Sequence, residues 1–183
     1  VSCLKEYCMA VGEKGLAVII DLKKDALKRI ELPTLDYFKV VGSGTSFYIA
    51  SREVLLEYSI QDGRVLGEFR ETINDVDVKD NGDVIILGRE YLKALSGENI
   101  PLKNVGRVKS IVYPYLVGDG LYFWNGTSLI KVLEQGFDRA VKTNDGLLLS
   151  SRGFIYYWSR EKGLVSIGYS GELNDIAYGN GRI

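Results

Sequence analysis

The chain contains no histidine, and this absence excludes much of the common catalytic and metal-binding chemistry of proteins. Without an imidazole there is no Ser-His or Cys-His nucleophile pair, no usual proton shuttle near neutral pH and no histidine metal ligand. The sequence therefore predicts a protein that is not an enzyme and that carries neither a metal nor a cofactor.

Cysteine is almost as scarce, since the 183 residues include only Cys3 and Cys8. On a single strand a spacing of five places two side chains on opposite faces, so we expect neither a shared metal nor a disulfide. Two free thiols are typical of a reducing compartment, and the chain does not open on a secretory signal. We therefore expect a cytoplasmic location.

The sequence also lacks a long apolar run and an excess of charge of one sign. No apolar stretch is longer than Leu16–Ile20, whereas a membrane-spanning helix needs about 18 apolar residues or more. Lys and Arg number 23 against 24 Asp and Glu, which disfavours a nucleic-acid surface because such surfaces need clustered cations. Only two Gln and one Met occur, a depletion reported for hyperthermophile proteins. The composition therefore predicts no membrane segment, no nucleic-acid partner and a thermophilic source.

What the chain does contain is an internal repeat. Five stretches each read as an apolar strand, a turn centred on Gly or Ser, a second apolar strand, a polar turn and a third strand. Every middle strand ends in a large apolar residue followed by a small polar one, at spacings of 38, 37, 29 and 34 residues. These dipeptides are Ile20-Asp21, Tyr58-Ser59, Leu95-Ser96, Trp124-Asn125 and Trp158-Ser159.

A further strand precedes each trio, most clearly at residues 73–78, 137–141 and 173–178. Four short strands in a unit of roughly 40 residues, repeated without a helical period, are typical of a β-propeller. We therefore predict an all-β chain that forms a single five-bladed propeller domain, residues 1–183, of four-stranded antiparallel blades.

The two ends of the sequence complement each other. The chain finishes on a first strand with its turn and begins on a second strand at residues 6–11, so strand exchange between the ends would close the ring and leave no open edge. Blade 1 would then comprise residues 173–183 plus 1–33, blade 2 residues 34–71, blade 3 residues 72–106, blade 4 residues 107–135 and blade 5 residues 136–172. The alternative is that the five units belong to a larger propeller that another domain or chain completes.

The repeat resembles the WD-repeat propellers across nearly the whole chain, through its strand-end dipeptides and the polar turns after them, such as 59–63. It departs from them in having no Trp-Asp dipeptide and no Gly-His. The resemblance implies a rigid platform that binds other proteins or ligands, usually without catalysis.

An acidic residue recurs at the entrance to the first strand. First strands line the channel of a propeller, so these carboxylates would form a ring at one channel mouth. Convergent carboxylates attract hard cations and sugar hydroxyls, and a pair of them could hydrolyse a glycoside. The structural alternative is that each carboxylate accepts backbone N–H bonds in its own loop. The residues are Asp36, Asp75, Asp138 and Asp175.

Aromatic residues concentrate in blades 4 and 5, where Tyr122, Trp124, Tyr156 and Trp158 are candidates for a protein interface. The alternative is that they fill the space between adjacent blades. We interpret the chain as a non-catalytic scaffold that binds a protein partner. The alternative function is a carbohydrate- or cation-binding propeller that uses the acidic ring, with a glycan or small molecule as ligand.

Overall fold

The structure is a computed structural model that describes residues 1–103, 105–169 and 171. Throughout these residues the regular secondary structure is β-strand, which confirms the predicted all-β class. It follows that no helix in this part of the chain is long and apolar enough to cross a membrane. The strands form five four-stranded antiparallel sheets, in each of which consecutive strands are neighbours. This is the predicted organisation of propeller blades.

The chain divides into two compact units: unit 1 is Val1–Leu102 and unit 2 is Lys103–Ile183. Among the described residues unit 1 holds three sheets, formed by β1–β4, β5–β8 and β9–β12. Its strands are β1 (Ser2–Leu4), β2 (Tyr7–Val11), β3 (Leu16–Asp21), β4 (Ala26–Glu31), β5 (Lys39–Ser43), β6 (Ser46–Ala50), β7 (Val54–Ser59), β8 (Arg64–Arg70), β9 (Asp75–Val78), β10 (Val84–Leu87), β11 (Tyr91–Ala94) and β12 (Asn99–Pro101).

Unit 2 holds two sheets in its described part, formed by β13–β16 and β17–β20. Its strands are β13 (Val108–Val112), β14 (Tyr115–Gly118), β15 (Leu121–Trp124), β16 (Leu129–Leu133), β17 (Arg139–Lys142), β18 (Leu147–Ser151), β19 (Phe154–Ser159) and β20 (Gly163–Tyr169).

The sequence of each strand matches its place in the sheet. All four residues of β10 are apolar and buried, as expected for a strand that is covered on both faces. The outer strand β8 is mostly exposed and has charged residues at both ends. The central strand β10 is thus built for burial and the outer strand β8 for solvent.

In unit 1 neighbouring sheets pack face to face. Met9 and Ala17 of the first sheet share one core with Phe47 and Ile49 of the second. The first strands also lie side by side, β1 against β5 and β5 against β9. Gly42 of β5 permits a close approach to β1, because a Cβ there would lie 2.4 Å from Leu4 Cγ.

The two sheets of unit 2 pack in the same way. Leu121 of the fourth sheet and Leu149 of the fifth share one core and are completely buried, and β13 lies against β17. The Tyr115 ring meets Trp158 edge-on, with ring centroids 5.4 Å apart. Edge-to-face pairs of this kind add about 0.5–1.5 kcal/mol beyond the burial of the rings.

The prediction of two free thiols was wrong, because Cys3 and Cys8 form a disulfide. The two residues do not lie on one strand. A turn at Lys5 and Glu6 reverses the chain between β1 and β2, so the antiparallel register places Cys3 directly opposite Cys8 with Cα atoms 4.0 Å apart. Residues that face each other across a hairpin point to the same side of the sheet, whereas the prediction assumed a continuous strand.

The first sheet also differs from its predicted composition. The sequence interpretation found no complete first strand ahead of residues 6–11, but Ser2–Leu4 form β1 and pair with β2. The predicted contribution of 173–183 to this sheet lies outside the described residues, and closure of the ring stays a prediction.

Candidate functional site

In unit 1 the two predicted acidic residues both join parts of neighbouring sheets. Asp36 lies in the linker before β5, where its Oδ1 accepts a hydrogen bond of 3.0 Å from the backbone N–H of Lys14 in the β2–β3 turn. Asp75 is the first residue of β9, and its Oδ1 accepts hydrogen bonds from Lys39 Nζ at 2.7 Å and from the Val76 N–H. Both carboxylates therefore already serve as acceptors.

In unit 2 Asp138, just before β17, has the same kind of environment. One carboxylate oxygen accepts a hydrogen bond from Lys109 Nζ of β13 at 2.5 Å, and the other accepts the backbone N–H of Arg152 at 3.2 Å. The hydrogen bond from the Lys109 ammonium is the largest influence on this carboxyl, and its pKa lies below the ordinary 3.8 although partial burial opposes the shift. Asp138 is thus held as a carboxylate.

Of these contacts, only that of Asp75 with the Val76 N–H is local, as the structural alternative supposed. The N–H groups that bind Asp36 and Asp138 belong to turns elsewhere in the chain. Because each described carboxylate has a cationic or N–H partner, a metal ion would have to displace these partners in order to bind. No group of three Asp, Glu or Cys residues in the described part of the chain could hold a metal. Asp175 lies outside the described residues, and the ring of four carboxylates stays a prediction.

Asp138 also lines a groove in unit 2 with a volume of about 530 Å³. Its polar walls include Lys109, Asp119, Gln135 and Arg152, so that two cations face two carboxylates. Asp119 Oδ2 accepts the Arg107 N–H at 2.9 Å. The groove therefore has no net formal charge and already compensates the charges it contains, which suits a neutral polar ligand better than an ion.

An aromatic ladder leads from the core of unit 2 to solvent along this groove. We use this name for four rings in which each contacts the next, with centroids 6.0, 6.4 and 4.8 Å apart. The first ring is completely buried, the second is half-buried, and the last two have exposed fractions of 44% and 68%. In order, the rings are Phe137, Tyr156, Phe154 and Tyr169.

The turn beside this ladder has a fixed backbone. Arg152 and Gly153 connect β18 to β19 with φ of 50° and 81°, and two positive values in sequence are typical of a type I′ hairpin turn. A Cβ at position 153 would lie 2.0 Å from the carbonyl oxygen of Gly171, so only glycine fits. The Asp138 carboxylate, through the Arg152 N–H, ties the turn to the sheet.

The predicted interface aromatics are mostly in the core. Tyr122, Trp124 and Trp158 are buried, and Tyr156 is half-buried within the ladder. Trp158 also lines a second groove in unit 2, of about 410 Å³, together with Tyr115. Their burial fits the packing alternative, and among the described residues of this unit the exposed aromatic side chains are Phe154 and Tyr169 instead.

Sequence reasoning missed the two lysines that pair with the acidic residues. Lys39 precedes Asp75 by 36 residues and Lys109 precedes Asp138 by 29, which is one repeat in each case. A lysine near the start of the first strand of one sheet, followed by an acidic residue at the entrance to the first strand of the next sheet, could therefore have predicted these pairs. The exposure of Phe154 could not be predicted in this way, because aromatic residues occupy most positions of β19 from Phe154 to the buried Trp158 and the pattern does not distinguish the exposed ones.

The fold is similar to parts of two larger bacterial proteins. One is PorZ, described as an essential bacterial surface component of the type-IX secretion system of Porphyromonas gingivalis, with a TM-score of 0.66 and 15% identity over 93% of this chain. The other is the extracellular domain of the putative hybrid two-component system BT3049 from B. thetaiotaomicron, with a TM-score of 0.71 and 12% identity over 92% of this chain.

The match covers 27% of the length of each of these two structures. At this level of identity the similarity shows the fold alone. No protein-family model matches the chain, and no curated protein sequence matches it either.

Proposed function

We propose that this chain is a non-catalytic interaction module that binds a protein partner through the exposed end of the aromatic ladder. The observation that carries the proposal is the pair Phe154 and Tyr169, two exposed rings that contact each other at 4.8 Å beside the cationic Arg152. Aromatic residues and arginine are enriched among the residues that dominate protein interfaces.

The surroundings of this pair favour binding because they are already ordered. Phe154 and Tyr169 lie directly opposite each other on β19 and β20, and Tyr156 supports Phe154 from the core side. The adjoining turn is held by Asp138. A surface that needs little ordering on binding retains more of its interaction energy as affinity.

Two further observations support an interaction role. The two carboxylates of the groove, Asp119 and Asp138, are engaged in structural hydrogen bonds, and Asp138 also pairs with Lys109, which leaves catalysis without an evident pair of carboxyl groups as acid and base. Both structural neighbours are described as surface or extracellular components of multi-part systems. The WD-repeat-like character of the blades stays part of the proposal.

The experiment compares three forms of the full chain as bait in lysate of the source organism: the natural sequence, the double variant Phe154→Ala/Tyr169→Ala and the control Leu27→Ala. We expect a stoichiometric protein partner that the double variant retains about tenfold less well, equivalent to about 1.4 kcal/mol. Quantitative mass spectrometry measures the captured amount, and titration with the purified partner measures the affinity.

Leu27 is a suitable control because it is also an exposed apolar residue but lies in unit 1, with 70% of its surface accessible. Equal capture by all three forms would contradict the ladder as the binding surface. Absence of any captured protein at low salt would contradict the protein-binding proposal itself.

A neutral carbohydrate is the second candidate ligand. The groove has no net formal charge, and two exposed rings lie beside it. Sugars combine apolar faces with hydroxyls, and binding sites join aromatic walls to a few placed polar groups. A glycan screen with the natural sequence and Gln135→Ala separates the candidates, since Gln135 lines the groove and only a ligand inside it would lose affinity.

The cytoplasmic location is likewise a proposal. Its premise of free thiols no longer holds, but disulfides are common in intracellular proteins of hyperthermophiles. A thermophilic source, as the composition predicts, would therefore accommodate the Cys3–Cys8 bond in the cytoplasm.

A further inference from the structure

Each sheet ends in an outer strand, and such a strand presents a row of backbone N–H and C=O groups to which another chain could add. Proteins generally protect these edges with charged side chains, proline, shortness or a β-bulge. The five outer strands of this chain are β4, β8, β12, β16 and β20. Comparing them shows which edges are protected and which are not.

The three outer strands of unit 1 are well protected. β4 and β8 each contain three charged residues, and β12 has only three residues and ends in proline. The charged residues are Lys28, Arg29 and Glu31 in β4, and Arg64, Glu68 and Arg70 in β8. A strand that added to β4 or β8 would have to bury these charges. A strand that added to β12 would find too few backbone groups to pair with.

In unit 2 the outer strand β16 also has a charge, since Lys131 at its centre pairs with Glu134. β20 differs from all the others. It is seven residues long, contains neither a charged residue nor proline, and has six exposed positions. Val165, Ile167 and Tyr169 expose 45%, 46% and 68% of their surface.

Within the described part of the chain, the one protective feature of β20 is a bulge at Ile167, where the register with β19 shifts. Similar shifts occur in the pairings of β8 and β16, so the bulge does not replace the charges that those strands also have. It leaves Gly163–Ser166 in regular register with β19, long enough for a short antiparallel ladder.

We infer that β20 is a dimerisation edge, to which β20 of a second copy of this chain adds in antiparallel orientation. A second copy fits because an edge without charge meets itself without opposing like charges, which would destabilise a cross-strand pair. Val, Ile and Tyr are also strong strand formers. A two-fold axis makes the arrangement self-complementary and closes it at two copies.

The pairing joins two four-stranded sheets into one sheet of eight strands and satisfies the backbone groups of both edges. It uses the backbone edge of Gly163–Ser166 rather than the rings of Phe154 and Tyr169, so it does not depend on the proposed protein partner. The exposed β-branched residues provide the apolar area that flanks the new ladder.

The test measures the mass of the full chain by sedimentation equilibrium over a wide range of concentrations. We expect a dimer of the 20.4 kDa chain, with Val165→Lys and Ser166→Lys each weakening association about tenfold or more, because lysine on an edge opposes strand addition. Ser166→Lys removes no apolar contact and guards against simple misfolding of the other variant. Both variants retain Phe154 and Tyr169, so loss of the dimer is distinguishable from loss of the protein partner.

Val65→Lys is the matched control, since Val65 has a similar exposure of 38% on the already charged edge β8. It should leave the dimer intact. Hydrogen exchange gives an independent measurement, in which the amides of Gly163–Tyr169 gain protection as the concentration rises and those of β8 do not. A natural sequence that stays monomeric at every concentration, a dimer that survives both β20 lysines, or equal disruption by Val65→Lys would overturn the inference.

Discussion

At the residue scale, the Asp138 carboxylate connects three segments of unit 2. It lies at the entrance to β17, and it accepts hydrogen bonds from the Lys109 ammonium of β13 and from the Arg152 N–H of the β18–β19 turn. Both contacts favour the ionised form of the side chain. A change in its protonation should therefore be detectable in the stability of the fold.

We expect Asp138 to make stability depend on pH in the acidic range. The Lys109 hydrogen bond lowers its pKa in the folded state below the ordinary 3.8, so the folded chain binds fewer protons there than the unfolded chain. The resulting contribution is fully present above 3.8 and is lost as the pH falls through the lower, folded-state pKa. Urea unfolding midpoints of the natural sequence and Asp138→Asn, measured from neutral pH downward, should differ at neutral pH and converge in acid.

The same titration with Asp36→Asn is a useful comparison, since Asp36 is exposed and accepts a backbone N–H without a lysine partner. A constant offset between the natural sequence and Asp138→Asn at every pH would contradict the role assigned to the ionised carboxylate. Ordinary surface ion pairs contribute only about 0–1 kcal/mol to the free energy of unfolding, and we expect the pair of the half-exposed Asp138 with Lys109 to contribute an amount in that range.

The residue types that recur were predictable, but their partners were not. The sequence indicated that the recurring acidic residues could accept N–H bonds in their own loops, whereas Asp36 and Asp138 accept them from turns elsewhere in the chain. It did not indicate that Lys39 and Lys109 would reach across to the next sheet. Such pairs join residues about one repeat apart, so they depend on how two sheets pack.

At the element scale, the hairpin of β1 and β2 combines a short strand with a covalent link. β1 has only three residues, yet its Leu4 packs closely over Gly42 of β5. The disulfide restricts the unfolded hairpin and so favours the paired state. We expect the disulfide to help hold this three-residue strand against β2.

We expect replacement of both cysteines by alanine to lower the free energy of unfolding by about 2 kcal/mol, the size estimated from the entropy of closing so short a loop. Hydrogen exchange of Ser2–Leu4 and Tyr7–Val11 should accelerate, because β1 loses its tether. Exchange in β18 should not change, since that strand lies in unit 2. Unchanged exchange in the hairpin would show that packing alone holds β1.

The hairpins illustrate what local sequence does and does not define. Turn residues such as Arg152-Gly153 and Lys14-Gly15 have the positive φ values that connect two strands tightly, and the repeat placed most strands correctly. The β1–β2 turn was missed because neither Lys5 nor Glu6 is a typical turn residue, although Lys5 has a φ of 52°. Missing this one turn led directly to the wrong prediction for both cysteines.

At the scale of the whole molecule, stability resides in cores between sheets. Phe47 and Leu149 are completely buried in the cores of unit 1 and unit 2 respectively. Exposed apolar residues such as Leu27 belong to neither. These two cores are built from different sheets, and unit 1 contains a further buried cluster that includes Val41 and Val84.

We expect Leu149→Ala to cost about 2–5 kcal/mol and Phe47→Ala about 3–5 kcal/mol, because each leaves a cavity in a packed core. Both tryptophans, Trp124 and Trp158, lie in unit 2, so tryptophan fluorescence in urea reports the Leu149→Ala effect on that unit directly. Circular dichroism follows the strands of the whole chain. Leu27→Ala should change stability by less than about 0.5 kcal/mol, and a cost as large as that of the core variants would contradict the assignment of the cores.

The sequence by itself determined the all-β class, the number of sheets among the described residues and the order of strands in four of them, but not the first strand of the first sheet. These features follow from alternating apolar residues and turn residues within one repeat, so they depend on neighbours along the chain. The tertiary structure decided the disulfide, the Lys–Asp pairs, the burial of most predicted interface aromatics and the exposure of Phe154 and β20. Each of these depends on register across a hairpin or on which sheet faces which, and the same local pattern is compatible with several such arrangements.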